Sequence, residues 1–244
     1  QNYKALFTTN QIFTAFIISV TRTVLQAILS VFCTAMLAYA LSRKEFVIRK
    51  PLTSVLVISM YVSAGLIPSY MLIKNLGMLN SYWVYIIPNL VDVFNFILVR
   101  TYINGLPDSF VESARIDGAN EFKIFLGIIF PLIIPSVAMI CLFVAVGAWN
   151  SWFDTYLYTS AKPNLYSLQY VLMQFLNSSQ NQSNSAADAN SMAVAAAAGS
   201  SGSMVTPITL RSSITVIATV PILVVYPFMQ RYFVVGMTIG GVKE

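Results

Sequence analysis

The chain has 244 residues, of which 57% are hydrophobic and only 9% charged, with a net charge of +5 and no histidine. Soluble domains carry roughly 25% charged residues, so a water-soluble fold is excluded, and the long apolar stretches suit a bilayer core of about 30 Å. The basic residues sit at the ends of those stretches and form no continuous patch, which argues for membrane orientation and against nucleic acid.

Five segments are long and apolar enough to cross as helices: 23–41, 51–73, 82–103, 124–147 and 208–230. Arg22 stands just before the first. It reads either as an arginine snorkelling to the outer interface or as part of a transport path. The loop that follows, RKEFVIRK at 43–50, holds Arg43, Lys44, Arg49 and Lys50, whereas the next connection has Lys74 alone at its edge. The third connection holds Arg100, Arg115 and Lys123, and the fourth, about 149–207, has only Lys162. Basic loops alternate with non-basic ones, which places loops 43–50 and 104–123 and the C-terminus in the cytoplasm. The N-terminus is then outside, and an odd number of spans starting at Gln1 predicts a six-span parent whose first span is missing here. Tyr82, Trp83 and Tyr85, Trp149 and Trp152, and Tyr226 and Tyr232 are expected at span ends as an aromatic belt.

The third span contains Asn89, Asp92 and Asn95. At helical pitch they occupy an arc of roughly 120° and form one wall of a candidate solute pathway. An inter-helix hydrogen bond is the alternative for Asp92, since an uncompensated charge at mid-bilayer costs about 2.5–3.5 kcal/mol on insertion scales.

The connection LPDSFVESARIDGANEFKIFLGIIFPLIIP begins too polar for the bilayer. Pro107 suits a first helical turn, Gly118 a left-handed stop, and Asn120 the cap of a second helix running through Phe122 and Ile124. A helix over 107–116, a glycine turn and a second helix follow, with Phe110, Val111 and Ala114 available to a partner's groove. The outer loop after GAWNSWFDTYLY carries Leu165, Leu168, Val171, Leu172 and Phe175 on one helical face, which suits an interfacial helix. The low-complexity segment 178–205 then reads as a spacer, or as a stretch ordered by an external binding protein.

Cys33 and Cys141 lie in separate spans with no CxxC pattern and read as small apolar fillers. The chain shows no paired intramembrane carboxylates, no Ser-His or Cys-His arrangement and no GxxxxGK[ST] phosphate loop. No catalytic site, cofactor or metal is expected.

Glu112, Ser113, Ala114, Gly118, Ile128 and Pro131 together resemble the EAA signature of ABC importer permeases, departing from it at Ser113 and at Phe130. AYALSRK at 38–44 and YPFMQRYFVVGMTIGGVKE at 226–244 resemble the carbohydrate-uptake branch, both maltose-type permeases and those for oligosaccharides from complex polysaccharides. The resemblance implies an all-α polytopic membrane protein, a single permease domain over 1–244 with five transmembrane helices in this chain. It implies that Glu112, Ser113, Ala114, Asp117, Gly118, Ala119 and Pro131 couple to an ATPase, with Thr238, Gly240, Gly241 and Lys243 as a second, C-terminal contact. It further implies a bacterial inner-membrane complex with a second homologous permease subunit and two cytoplasmic ATPase subunits, fed with a sugar or oligosaccharide by an extracytoplasmic solute-binding protein. Amino-acid or peptide import and an autonomous secondary transporter are the alternatives.

Overall fold

The computed structural model describes residues 10–183 together with Thr215, Thr219 and Leu223. The predicted span 208–230 apart from those three positions, the tail residues Thr238, Gly240, Gly241 and Lys243, the ring pair Tyr226 and Tyr232, and most of the low-complexity segment lie outside the described residues. All regular elements among the described residues are helical.

Helix α1, Asn10–Ser42, is a single rod of 33 residues. It starts well before the predicted residue 23, because Arg22 does not end the membrane helix: its side chain is 1% exposed and turned inward. The next three predicted spans are interrupted. Residues 51–73 form α2, Arg49–Tyr61, and α3, Leu66–Asn75. Gly65 between them has a φ of +86°, and Pro68 both lacks an N–H and would set its ring against the Ala64 carbonyl in a continuous helix. Residues 82–103 begin with two 3₁₀ turns, Tyr82–Tyr85 and Ile87–Asn89, and continue at a bend of 46° into α4, Val93–Asn104. Pro88 is the breaker there.

Helix α5, Ser109–Ile116, is followed by α6, Glu121–Ile124. A π turn at Phe125–Ile129 leads to the short α7, Phe130–Leu132, and to α8, Ile134–Asn150, across a bend of 82° between Pro131 and Pro135. A second π turn, Thr155–Thr159, and a 3₁₀ turn, Pro163–Leu165, precede α9, Leu168–Ser183. Among the described residues one helix is long and apolar enough to cross a membrane, or up to three if each bent pair is one span.

The main core lies between α1, α4, the α5–α7 segment and α8. Ala35 and Ala38 of α1 have no exposed surface and let Phe96, Val99 and Ile103 of α4, and Ile133 and Ile140, approach closely. A second cluster holds α9 against the start of α1 through Leu168, Val171, Ile12, Ala15 and Trp149. The face of α9 expected to lie in the membrane interface is therefore buried against protein. Trp149, at 6% exposure, and Tyr85, at 0%, also leave the expected aromatic belt for the interior. Trp83 remains exposed.

Because Ala38 is enclosed on all sides, Ala38→Leu is expected to overpack the α1 core and cost about 1–3 kcal/mol. Met36→Leu, on the exposed face of the same helix, should leave stability within about 0.5 kcal/mol. Thermal unfolding of the detergent-solubilised chain distinguishes the two.

Candidate functional site

Helix α1 carries a polar stripe on its buried side. Ser19, Arg22, Gln26, Ser30 and Thr34, spaced three or four residues apart, are all buried. The spacing places them on one face of the rod. Ser19 Oγ accepts the Leu168 amide at 2.7 Å and so ties α9 to α1.

Arg22 is held from two sides. Its guanidinium lies 4.5 Å from the centroid of the Tyr85 ring, and its Nη2 donates to Asp154 Oδ2 at 3.4 Å. A desolvated cation over an aromatic face is worth about 2 kcal/mol or more, which offsets part of the cost of burying the charge. Tyr85 is itself fixed: its hydroxyl donates to the Leu165 carbonyl at 2.7 Å and lies 3.0 and 2.6 Å from the Thr155 and Thr159 hydroxyls. The π turn at 155–159 therefore positions the ring that positions the arginine. Asp154 also accepts from Ser151 Oγ at 2.6 Å.

Asn89, Asp92 and Asn95 do not share one helix face. Asn89 lies in a 3₁₀ turn, Asp92 in the break, and Asn95 in α4. Asp92 caps α4, its Oδ1 accepting the Asn95 amide at 2.8 Å, which puts its charge at a favourable helix N-terminus. All three nevertheless line one cavity of about 480 Å³, with Arg22, Gln26, Ser30 and Asp154 on the facing walls. Arg22 thus belongs to the cavity, and the snorkelling reading is replaced. Sequence reasoning did not single out Gln26, Ser30 and Asp154. The polar stripe at three- and four-residue spacing was the available signal for the first two. Asp154 had none, because its partner lies 132 positions away. Among the described residues no group of three or more His, Cys, Asp or Glu could hold a metal ion.

A second arrangement lies at the other end of α1. Helix α5 begins at Ser109, two residues after the expected Pro107. It ends in a glycine-centred cap: the Gly118 amide donates to the Arg115 carbonyl and the Ala119 amide to the Ala114 carbonyl, each at 3.0 Å, with Gly118 at φ +78°. Asn120 caps α6 by accepting the Lys123 amide at 2.8 Å. Val111 and Ala114 are buried in the chain's own core, so they are not available outward as the sequence suggested. They hold the helix down, while Phe110, Glu112, Ser113 and Ile116 face outward and Asp117 and Gly118 form the exposed tip. Pro131 lies outside this loop, at the kink before α8.

Charged contacts fasten the loop to the end of α1. Arg115 pairs with Glu45 and with Glu121, whose Oε2 accepts the Tyr39 hydroxyl at 2.6 Å. Lys44 Nζ meets Asp108 at 2.7 Å. Arg100 Nε donates to the Leu41 carbonyl at 3.2 Å, satisfying one of the last acceptors of α1. Hydrogen bonding to Arg115 pulls the Glu45 carboxyl down to about 2, and Lys44 lowers that of Asp108 in the same way.

Comparisons with known proteins give the chain's family and fold relatives. A family profile described as binding-protein-dependent transport system inner membrane component matches residues 35–239. A polygalacturonan/rhamnogalacturonan transport system permease protein, YtcP of Bacillus subtilis, is 36% identical over 241 residues, covering 99% of this chain and 80% of the relative. LplC of the same organism is 36% identical over 241 residues, covering 99% and 78%. Among solved structures, a bacterial ABC transporter involved in import of the acidic polysaccharide alginate superimposes with a TM-score of 0.81. Its sequence identity is 26%, over 95% of this chain and 79% of that one.

The Glu45 carboxyl titrates below its ordinary value, so its clamp on Arg115 is complete above pH about 4.5 and is lost as pH falls toward 2. Hydrogen exchange over Ser109–Ile116, corrected for intrinsic rates, is expected to be constant from pH 8 to 5 and to rise modestly, by no more than about fivefold, as pH falls toward 2, because the pair is solvent-exposed.

Proposed function

The chain belongs to the family of binding-protein-dependent transport system inner membrane components, and we propose that it is the permease subunit of an ATP-driven carbohydrate importer, crossing the membrane in five helical spans. The bent pairs Tyr82–Asn89 with Val93–Asn104, and Glu121–Leu132 with Ile134–Asn150, each count as one span in this reading. Helices α2 and α3 together form another, and segment 208–230 the last. The end of α1 that gathers Arg43, Lys44, Arg100 and Arg115 faces the cytoplasm. One relative is named for polygalacturonan/rhamnogalacturonan and the structural neighbour for alginate, which supports a sugar or oligosaccharide as cargo.

One observation carries the reading: a short helix whose inner face is anchored by Val111 and Ala114 presents Phe110, Glu112, Ser113 and Ile116 outward, beside a glycine tip, at the basic end. A projecting helix with an apolar and an acidic contact suits the groove of a cytoplasmic ATPase. The chain hydrolyses nothing itself. Energy comes from two ATPase subunits, a second homologous permease completes the membrane core, and a solute-binding protein delivers cargo from outside. α2 packs Leu52 and Leu56 against the core but has no fully buried residue among those described, and it offers surface for that second permease or for lipid. A further ATPase contact falls to the tail residues Thr238, Gly240, Gly241 and Lys243.

Gly118→Trp tests the docking assignment. The site is exposed, and no atom lies within 4 Å of a Cβ built there, so the main structural cost is the positive φ. The variant is expected to reach the membrane and assemble with its partner permease, yet lose most binding-protein-stimulated uptake while basal ATP hydrolysis continues. Full uptake with normal ATPase stoichiometry contradicts docking at this loop. Transport by the chain alone in vesicles without ATPase subunits contradicts the importer reading altogether.

A further inference from the structure

The buried atoms that have no hydrogen-bond partner among the described residues include those of three side chains: Arg22 at Nε and Nη1, Gln26 at Oε1 and Asn95 at Oδ1. All three line the same cavity, which falls within the roughly 300–1,000 Å³ range of small-molecule sites. Buried polar atoms are almost always paired, because an unpaired one keeps the full cost of leaving water. Three such groups converging on one space point to a complement that the described residues do not supply.

The complement's chemistry follows from the set. Arg22 offers N–H donors with a full positive charge, while Gln26 and Asn95 offer carbonyl acceptors. A ligand that satisfies all three brings an anionic oxygen for Arg22 and hydroxyl donors for the two amides. Two carboxylates also border the space, and neither takes up Arg22 fully. Asp92 is engaged as the cap of α4, where the helix N-terminus offsets its charge. Asp154 is committed to Ser151 at 2.6 Å and meets Arg22 only at 3.4 Å, beyond the roughly 2.7–2.9 Å of a strong charge-assisted contact. Tyr85 covers one face of the guanidinium and leaves its edge for a ligand.

Resting on the reading of the chain as a carbohydrate permease, we propose that this cavity is a subsite for a uronic-acid unit of an oligosaccharide. Arg22 takes the sugar carboxylate, and Gln26 and Asn95 take ring hydroxyls. The subunit itself then selects cargo by charge, independently of the binding protein.

The test uses the assembled importer in lipid nanodiscs without binding protein, titrated with digalacturonate and with its neutral counterpart galactobiose. The wild type is expected to bind digalacturonate about tenfold more tightly or better. Arg22→Gln combined with Asp154→Asn removes both charges together and leaves no buried carboxylate unpaired. It should erase the preference, so that digalacturonate and galactobiose bind the variant equally, and Arg22→Lys should retain part of the preference. Equal binding of the two sugars by the wild type overturns the proposal, as does a preference that survives in the double variant. If either result comes with ATP hydrolysis stimulated by saccharide-loaded binding protein, the carbohydrate permease reading stands without the subsite. If no saccharide stimulates hydrolysis, that reading fails with it.

Discussion

A guanidinium that is 1% exposed in the middle of a membrane helix is the constraint around which one half of this molecule is built. A charge in that setting must be held by partners, because an uncompensated one is costly within a membrane. The π turn at 155–159 supplies the threonines that fix Tyr85, Tyr85 supplies the face that covers Arg22, and Asp154 at the head of that turn supplies the counter-charge. Breaks in the neighbouring span bring Asn89 and Asp92 to the same place. A continuous helix there would have left the backbone closed and the side chains on one stripe.

The same helix ends at the docking loop. Tyr39 and the Leu41 carbonyl contact Glu121 and Arg100, and Arg22 lies seventeen positions earlier, about 26 Å along the axis at helical rise. Small residues at 35 and 38 pack the intervening stretch tightly against α4, so the rod has little freedom to bend. The polar cavity and the outward-facing helix α5 are therefore joined by one continuous hydrogen-bonded element, a direct mechanical route between the proposed solute site and the proposed ATPase contact.

Much of this was legible in the sequence because it is written locally. The Gly118 turn and the Asn120 cap depend on neighbours in the chain, and both appear as expected. The all-helical character and the family follow from hydropathy and from Glu112, Ala114, Gly118 and Pro131. What was not legible depends on distant partners. Nothing beside Arg22 in the sequence announces Asp154 or Tyr85, so a buried charge looked like an interfacial one. The inward turn of Val111 and Ala114, and of the α9 face, follows from surfaces that only the fold brings opposite them. Proline at 68, 88, 131 and 135 was visible, but apolar length concealed that the helices break there.

The connection through α1 is tested most directly by a spin-label distance measurement in the assembled importer, with one label at Val24 on the exposed face of α1 and one at Ile116 on the exposed face of α5. If the two ends move as one body, the distance distribution is the same in the nucleotide-free and ATP-bound states, while distances from either label to the second permease change. A shift in the Val24–Ile116 distribution on ATP binding would contradict a rigid connection between the cavity and the docking loop.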